Sequence, residues 1–338
     1  MSPMSPETGR GRRGITVFAA TVAATLSLVI AGCSSSPSTP SGGGSASPSA
    51  KPMTNLTVAV VPIVQAAPLF VAIKDGYFKR AGLNVTPKIT QQSTAAVSDM
   101  LHGTVQIVAA ANYVSFLQAQ ATGAFSISIL AANANCDNDS NVVLSLPGSG
   151  ITKPSDLAGK TVAVNINPNI QTLTVDSVLK ANGVSPSSVH FVTIPFPDMP
   201  AALKSHRVDA IAEVEPFITG TEATGAVKVL NACQGATAGI PLAGYFSTSS
   251  WAQQNPGTAK AFQTAVQQAE QYAAQNRSAV TAVLPTYMKI TPALAAKVDT
   301  GVFPSSLDAA SLQNLANLMQ SGGMIKTHLD VSPLLFHS

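Results

Sequence analysis

Apolar and polar positions divide the chain into three stretches with different periodicities. An uncharged apolar run from Ile15 to Ile30 follows the basic residues Arg10, Arg12 and Arg13 and ends in Ala31, Gly32 and Cys33. The run is 16 residues long. A bilayer span needs roughly 20, and small residues just before a cysteine suit cleavage, so residues 1–32 read as a removed export segment. Ser34 to about Lys51 is Ser, Pro and Gly with almost nothing apolar. Such a stretch buries no core, so residues 33–54 read as a flexible tether.

From Asn55 onward strand and helix patterns alternate. Leu56 to Val61 is extended, Pro68 to Asp75 is helical and stopped by Gly76, and Asn84 to Ile89 is extended. Ser93 starts a helix that ends near Gly103; Val105 to Ala110 is a strand, and a helix from Tyr113 ends at Gly123. Gly and the capping residues supply the boundaries. This alternation predicts a parallel sheet flanked by helices.

The series then recurs. Thr57-Val-Ala-Val reappears as Thr161-Val-Ala-Val, and Val105 in Leu101-His-Gly-Thr-Val corresponds to Val208 in Lys204-Ser-His-Arg-Val, at offsets of 104 and 103. Between these anchors lie a helix from Thr172 to Ala181 stopped by Gly183, a strand at His190 to Ile194 and a helix capped by Asp198. Two similar strand–helix lobes account for the order. Beyond Val227 to Leu230 and an extended Gly244 to Thr248 the chain is mainly helical, with helices at Pro256 to Gln275, Ser278 to Leu284, Pro292 to Val298 and Leu307 to Gln320. In the last, Leu312, Leu315, Ala316 and Met319 share a face, so it packs against a lobe. The expected division is lobe 1 at 55–140 plus 240–338 and lobe 2 at 141–239.

Composition narrows the function classes. Removing three Arg and Glu7 with the export segment takes the 19 basic and 16 acidic residues to 16 and 15. That balance gives no electrostatic footprint for nucleic acid. With Cys33 at the cleavage site, Cys136 and Cys233 remain of three cysteines. In an oxidising compartment they are more simply a disulfide than two buried thiols. A bridge closing 97 residues would stabilise by about 4 to 5 kcal/mol in the chain-entropy description. The histidines at 102, 190, 206, 328 and 337 form no ligand spacing, and neither a metal nor a cofactor is expected.

In open parallel sheets ligands bind beyond the carboxyl ends of strands, where helix N-termini present free N–H groups. That rule selects Pro62–Ala67 and Ala110–Tyr113 in the first repeat, and Asn165–Gln171 and Glu213–Pro216 in the second. The candidate ligand-binding residues are Gln65, Asn112, Tyr113, Asn167, Asn169, Glu213 and Glu215, beside Asn165, Gln171 and Thr172. Glu213 and Glu215 lie two apart in an extended segment and share a face. Alternative roles are a helix cap for Glu215, an ion pair with Arg207 for Glu213 and a seal over the helix start for Tyr113. These loops contain no Lys, Arg, His or Cys, and GxSxG is missing from the chain, which argues against nucleophilic catalysis and an enzyme.

Two resemblances complete the reading. Leu28-Val-Ile-Ala-Gly-Cys33 resembles the lipobox of bacterial lipoproteins; this implies lipidation of Cys33 and a lipid anchor at the extracytoplasmic face of the cell membrane. Asp75-Gly-Tyr-Phe-Lys-Arg-Ala-Gly-Leu-Asn-Val and Val208-Asp-Ala-Ile-Ala-Glu-Val-Glu-Pro-Phe resemble substrate-binding proteins of nitrate, sulfonate, taurine and thiamine-precursor ABC importers. The resemblance covers Asn55 to past Pro256. It implies an α/β periplasmic-binding-protein fold, type II-like, with two lobes, a hinge and a ligand cleft, and a monomer delivering a small solute to ABC permease and ATPase subunits. The family's contacts would fall on Gln65, Asn112, Tyr113, Asn167, Asn169 and Glu215. The loops lack the arginine of some anion-binding members, and the two glutamates favour an amine or ring nitrogen. Fold-sharing enzymes of cofactor synthesis and a surface lipoprotein without a transport role are the alternatives.

Overall fold

The computed structural model describes residues 52–137, 139–304 and 306–337; residues 1–32, Cys33 and the tether as far as Lys51 lie outside the described residues. The strands are β1 (Thr54–Val60), β2 (Leu83–Ile89), β3 (Ile107–Asn112), β4 (Ile127–Asn135), β5 (Val142–Ser145), β6 (Thr161–Val164), β7 (His190–Thr193), β8 (Ala210–Glu213), β9 (Val227–Asn231) and β10 (Pro241–Thr248). They form two five-stranded sheets, ordered β2-β1-β3-β10-β4 and β7-β6-β8-β5-β9.

The two orders are the same pattern. β1 pairs in parallel with β2 and β3, as β6 does with β7 and β8. The Thr57 and Thr161 repeats therefore occupy equivalent central strands. Each sheet also holds one strand that runs against the rest: β10 is antiparallel to β3 and β4, and β5 is antiparallel to β8 and β9. The sequence pattern predicts parallel sheets and leaves β4 and β5 unread. The antiparallel strands arise because the chain crosses from one sheet into the other after β4 and returns after β9, entering each new sheet from the opposite end.

Helices cover both faces, which explains why the central strands are apolar along their length rather than alternating. In the first sheet Val58 and Val60 join a cluster with Leu69, Phe70, Phe262 and Val266, contributed by the helices Ala67–Lys74 and Pro256–Gln275. Phe78 and Phe262 stack there at 5.1 Å. On the opposite face Ala59 and Val108 pack with Leu312, Leu315, Ala316 and Met319, the apolar stripe of the helix Ala309–Ser321. The second sheet places Val162, Val164 and Ala210 against Val175, Val178 and Leu179 of the helix Ile170–Ala181.

The two crossovers run side by side. Cys136 and Cys233 are bonded through sulfurs 2.01 Å apart, one residue beyond β4 and two beyond β9. Backbone bonds flank them: Cys136 N–H donates to Ile240 at 2.7 Å, Gly239 N–H to Cys136 at 2.7 Å, and Ala232 N–H to Asn141 at 2.8 Å. This paired segment fixes where the carboxyl ends of both sheets meet.

Candidate functional site: a cleft between the sheets

The strand-end loops of both sheets converge on one cleft with about 520 Å³ of empty space, including its open mouth. On the first-sheet side, Gln65 follows β1 and Asn112 ends β3. Asn112 caps the helix Tyr113–Ala121: its Oδ1 accepts from Ser115 N–H at 2.9 Å, which satisfies an otherwise orphaned helix donor. Its Nδ2 donates to Ser93 Oγ at 3.3 Å. Ser93 also lines the cleft and is buried.

The second sheet supplies a matching arrangement. Asn169 caps the helix Ile170–Ala181 reciprocally: Thr172 N–H donates to Asn169 Oδ1 at 3.0 Å, and Asn169 N–H donates to Thr172 Oγ1 at 2.9 Å. Gln171 braces the loop, accepting from Asn165 N–H at 2.8 Å and donating to Ala212 O at 2.5 Å. Ile63, Phe196, Val214 and Leu242 add apolar surface, and among the described residues no ionisable side chain lines the cleft.

Ala110, also in the cleft wall, has φ 51°. This left-handed conformation costs an L-residue roughly 1–2 kcal/mol. The strain falls where β3 turns toward the cleft, beside a register irregularity with β10.

Gln65, Asn112 and Asn169 are therefore brought together with Asn165 and Gln171. The other candidates lie elsewhere. Tyr113 is fully buried, its ring 5.1 Å from Phe246 and edge-on to it. Its hydroxyl lies over Gly244 and has no hydrogen-bond partner; burial, then the nearby Glu270, push its ionisation upward. Asn167 is exposed on the loop after β6 and is not part of the cleft wall.

Glu213, Val214 and Glu215 do alternate in direction, but the member that lines the cleft is Val214. Glu213 is fully buried and neither carboxyl oxygen has a partner, so the ion pair with Arg207 is not formed. Burial holds its carboxyl well above the usual range. Glu215 is 6% exposed and its carboxylate accepts from Thr219 N–H at 3.2 Å, Thr219 Oγ1 at 2.5 Å and Asp299 N–H at 3.1 Å. These bonds hold the helix Phe217–Glu222 and tie it to the chain beyond β10. Burial raises the pKa of Glu215, and the same hydrogen bonds oppose the rise. Glu215 and Gln65 also border a smaller neighbouring recess.

Sequence reasoning missed Ser93, Asn141 and Phe196, which line the cleft. Ser93 follows β2 and Asn141 sits on the crossover into β5, positions outside the four loops that the strand-end rule selects. Direct bonds span the cleft. Gln92 Nε2 donates to Asn165 O at 2.5 Å, Asn165 Nδ2 to Gln91 O at 3.2 Å, and Ser115 Oγ to Pro168 O at 3.2 Å. Val64 N–H donates to Glu215 O at 3.0 Å.

Two α/β lobes of this topology, joined by paired crossovers and enclosing a cleft at their strand ends, define a type II-like periplasmic-binding-protein fold. The chain belongs to the NMT1/THI5-like family, whose model matches residues 63–280. A nitrate/nitrite binding protein, NrtA, of Nostoc sp. is 24% identical over 298 residues, covering 76% of this chain. The chain spans 65% of the length of that curated relative. Among solved structures, the alkanesulfonate-binding protein SsuA of Xanthomonas axonopodis pv. citri, bound to MOPS, is similar with a TM-score of 0.71 at 17% identity, over 86% of this chain and 100% of its own. The desulfurization enzyme DSZB is similar with a TM-score of 0.60 at 16% identity, over 83% of this chain and 96% of its own.

Proposed function

We propose that this protein is the extracytoplasmic solute-binding component of an ABC importer, held at the cell membrane by lipid on Cys33. It captures a small organic solute, sulfonate- or taurine-like or nitrogen-bearing, and presents it as a monomer to permease and ATPase subunits. The observation that carries the reading is the cleft between two equivalent sheets, walled by capped helix starts and carboxamides. Clefts with apolar walls and a few oriented polar groups suit small molecules. The family membership and the nitrate- and alkanesulfonate-binding relatives support it. The proposed contacts are Gln65, Asn112, Asn165, Asn169 and Gln171.

The likeness to a desulfurization enzyme raises a catalytic alternative. Acid–base and nucleophilic chemistry need a titratable or activated group facing the substrate. Among the described residues the cleft wall has no ionisable side chain, and its hydroxyl, Ser93, sits beside Asn112 rather than a base. Capture without turnover is therefore the reading this wall supports.

A solute screen followed by melting temperature tests capture. A cognate solute raises the melting temperature, and Asn112→Ala lowers affinity about tenfold while leaving the ligand-free protein folded. Unchanged affinity would remove Asn112 from the site. The anchor is tested separately: Cys33→Ser should abolish incorporation of labelled palmitate and move the protein from the membrane to the soluble fraction. A variant that still incorporates the label would contradict lipidation at that cysteine.

A further inference from the structure

The cleft's hydrogen-bonding groups are unequally satisfied, and the imbalance identifies what must come from the solute. Asn141, on the crossover between β4 and β5, is 1% exposed and lines the cleft. Its Nδ2 donates to Thr174 Oγ1 at 2.7 Å. The Thr174 hydroxyl gives its own hydrogen to the helix carbonyls of Ile170 and Gln171, at 2.9 and 3.1 Å. Thr174 Oγ1 must then accept from Asn141, which fixes the orientation of the amide. Asn141 Oδ1 is left buried without a partner. Gln65 Oε1, in the wall contributed by the other lobe, is also a buried acceptor without a partner.

Four neighbouring carboxamide nitrogens each give one hydrogen to the protein. Asn112 Nδ2 goes to Ser93, Asn165 Nδ2 to Gln91 O, Asn169 Nδ2 to Gln171 and Gln171 Nε2 to Ala212 O. Backbone amides at the start of the helix Ile170–Ala181 are further donors: Ile170 and Gln171 have no carbonyl one turn back within the helix. The cleft thus presents a side-chain acceptor of fixed orientation at Asn141, a second carboxamide at Gln65 and a helix start, and no cationic side chain among the described residues lines it.

We propose that the solute is uncharged and combines an N–H donor, received by Asn141 Oδ1, with a carbonyl-type acceptor toward Ile170 and Gln171: an amide, lactam or ureide. This rests on the capture reading and narrows it. A nitrate or sulfonate group offers only acceptor oxygens, so it would set a like partial charge against Asn141 Oδ1 and leave that buried acceptor unmet.

The test is calorimetric titration of the full, purified protein against two sets of probes. Uracil, nicotinamide and allantoin supply N–H donors; 1,3-dimethyluracil, nitrate, taurine and ethanesulfonate do not supply an uncharged one. Binding by at least one member of the first set, with N-methylation or an anion at least tenfold weaker, is the expected result. For that binder Asn141→Leu should cost at least tenfold, with Asn141→Ala as a second variant if Asn141→Leu does not fold. Equal or tighter binding of the anions or of dimethyluracil overturns the donor assignment and leaves solute capture standing. No binding by any member of either set overturns capture itself, and the assignment with it.

Discussion

Ala110 holds φ 51° in a cleft wall where glycine would be unstrained. Ala110→Gly should stabilise the protein by about 1 kcal/mol through relief of that strain, read as a higher urea midpoint; a lower midpoint would show the conformation is not costly. Gly244 is the opposite case. A Cβ there would lie 2.6 Å from Tyr113 Oη, 2.7 Å from its Cζ and 3.1 Å from Ala131 O. Gly244→Ala should cost about 1–3 kcal/mol by overpacking, and Tyr113→Leu in the same chain should return part of the loss. Asp176 shows how burial sets a titration. Burial raises its carboxyl to about 6, opposed by Lys180 one turn along. The folded protein then holds a proton that the unfolded chain, with an ordinary Asp near 3.9, has released. The stability contributed by protonation is full below about pH 4 and is lost as pH rises through about 6. Asp176→Asn should flatten that part of the profile, so its stability relative to the parent rises from pH 4.5 to pH 7. A constant difference across the range would contradict the shift.

At the level of elements, the helix Ile170–Ala181 starts at Asn169 with a reciprocal cap. Asn169→Ala should cost about 1 kcal/mol of stability and release the Thr172 amide that the Asn169 side chain holds, measurable by faster hydrogen exchange at Thr172. The paired crossovers are the second element on which the cleft depends. Their disulfide closes 97 residues, so Cys136→Ala with Cys233→Ala should cost up to about 5 kcal/mol by the chain-entropy estimate, read by urea unfolding. An undiminished midpoint would mean that the backbone bonds alone hold the crossovers. Helix caps and glycine stops were legible in the sequence because they depend on neighbours within four residues. The strand β5 was not: four residues, Val142-Val-Leu-Ser, carry no periodicity until β8 and β9 close on either side.

At the scale of the whole molecule, the bonds from Gln92 to Asn165 and from Ser115 to Pro168 join the loops of one sheet to those of the other. Separation of the lobes would break them. Gln92→Ala should shift the population toward separated lobes without removing a wall group of the cleft. Apparent affinity then falls in proportion to the closed fraction, accompanied by a larger radius of gyration in solution scattering. Weaker binding at unchanged radius would instead place Gln92 in contact with the solute.

The sequence by itself determined the duplicated strand–helix order, the two-lobed class and the loops at the strand ends, because repeats, caps and apolar runs are local or directly comparable along the chain. It also singled out Gln65, Asn112 and Asn169. Only the tertiary structure decided which neighbours face the cleft. Asn112 lines it while Tyr113 turns into the core; Val214 lines it while Glu213 and Glu215 point away. One residue's step reverses a side chain's direction, and the phase of that alternation is set by register against strands far away in sequence. The same holds for Asn141, an ordinary loop asparagine in the sequence. Its buried oxygen, unpartnered among the described residues, exists because the crossover places the amide against Thr174.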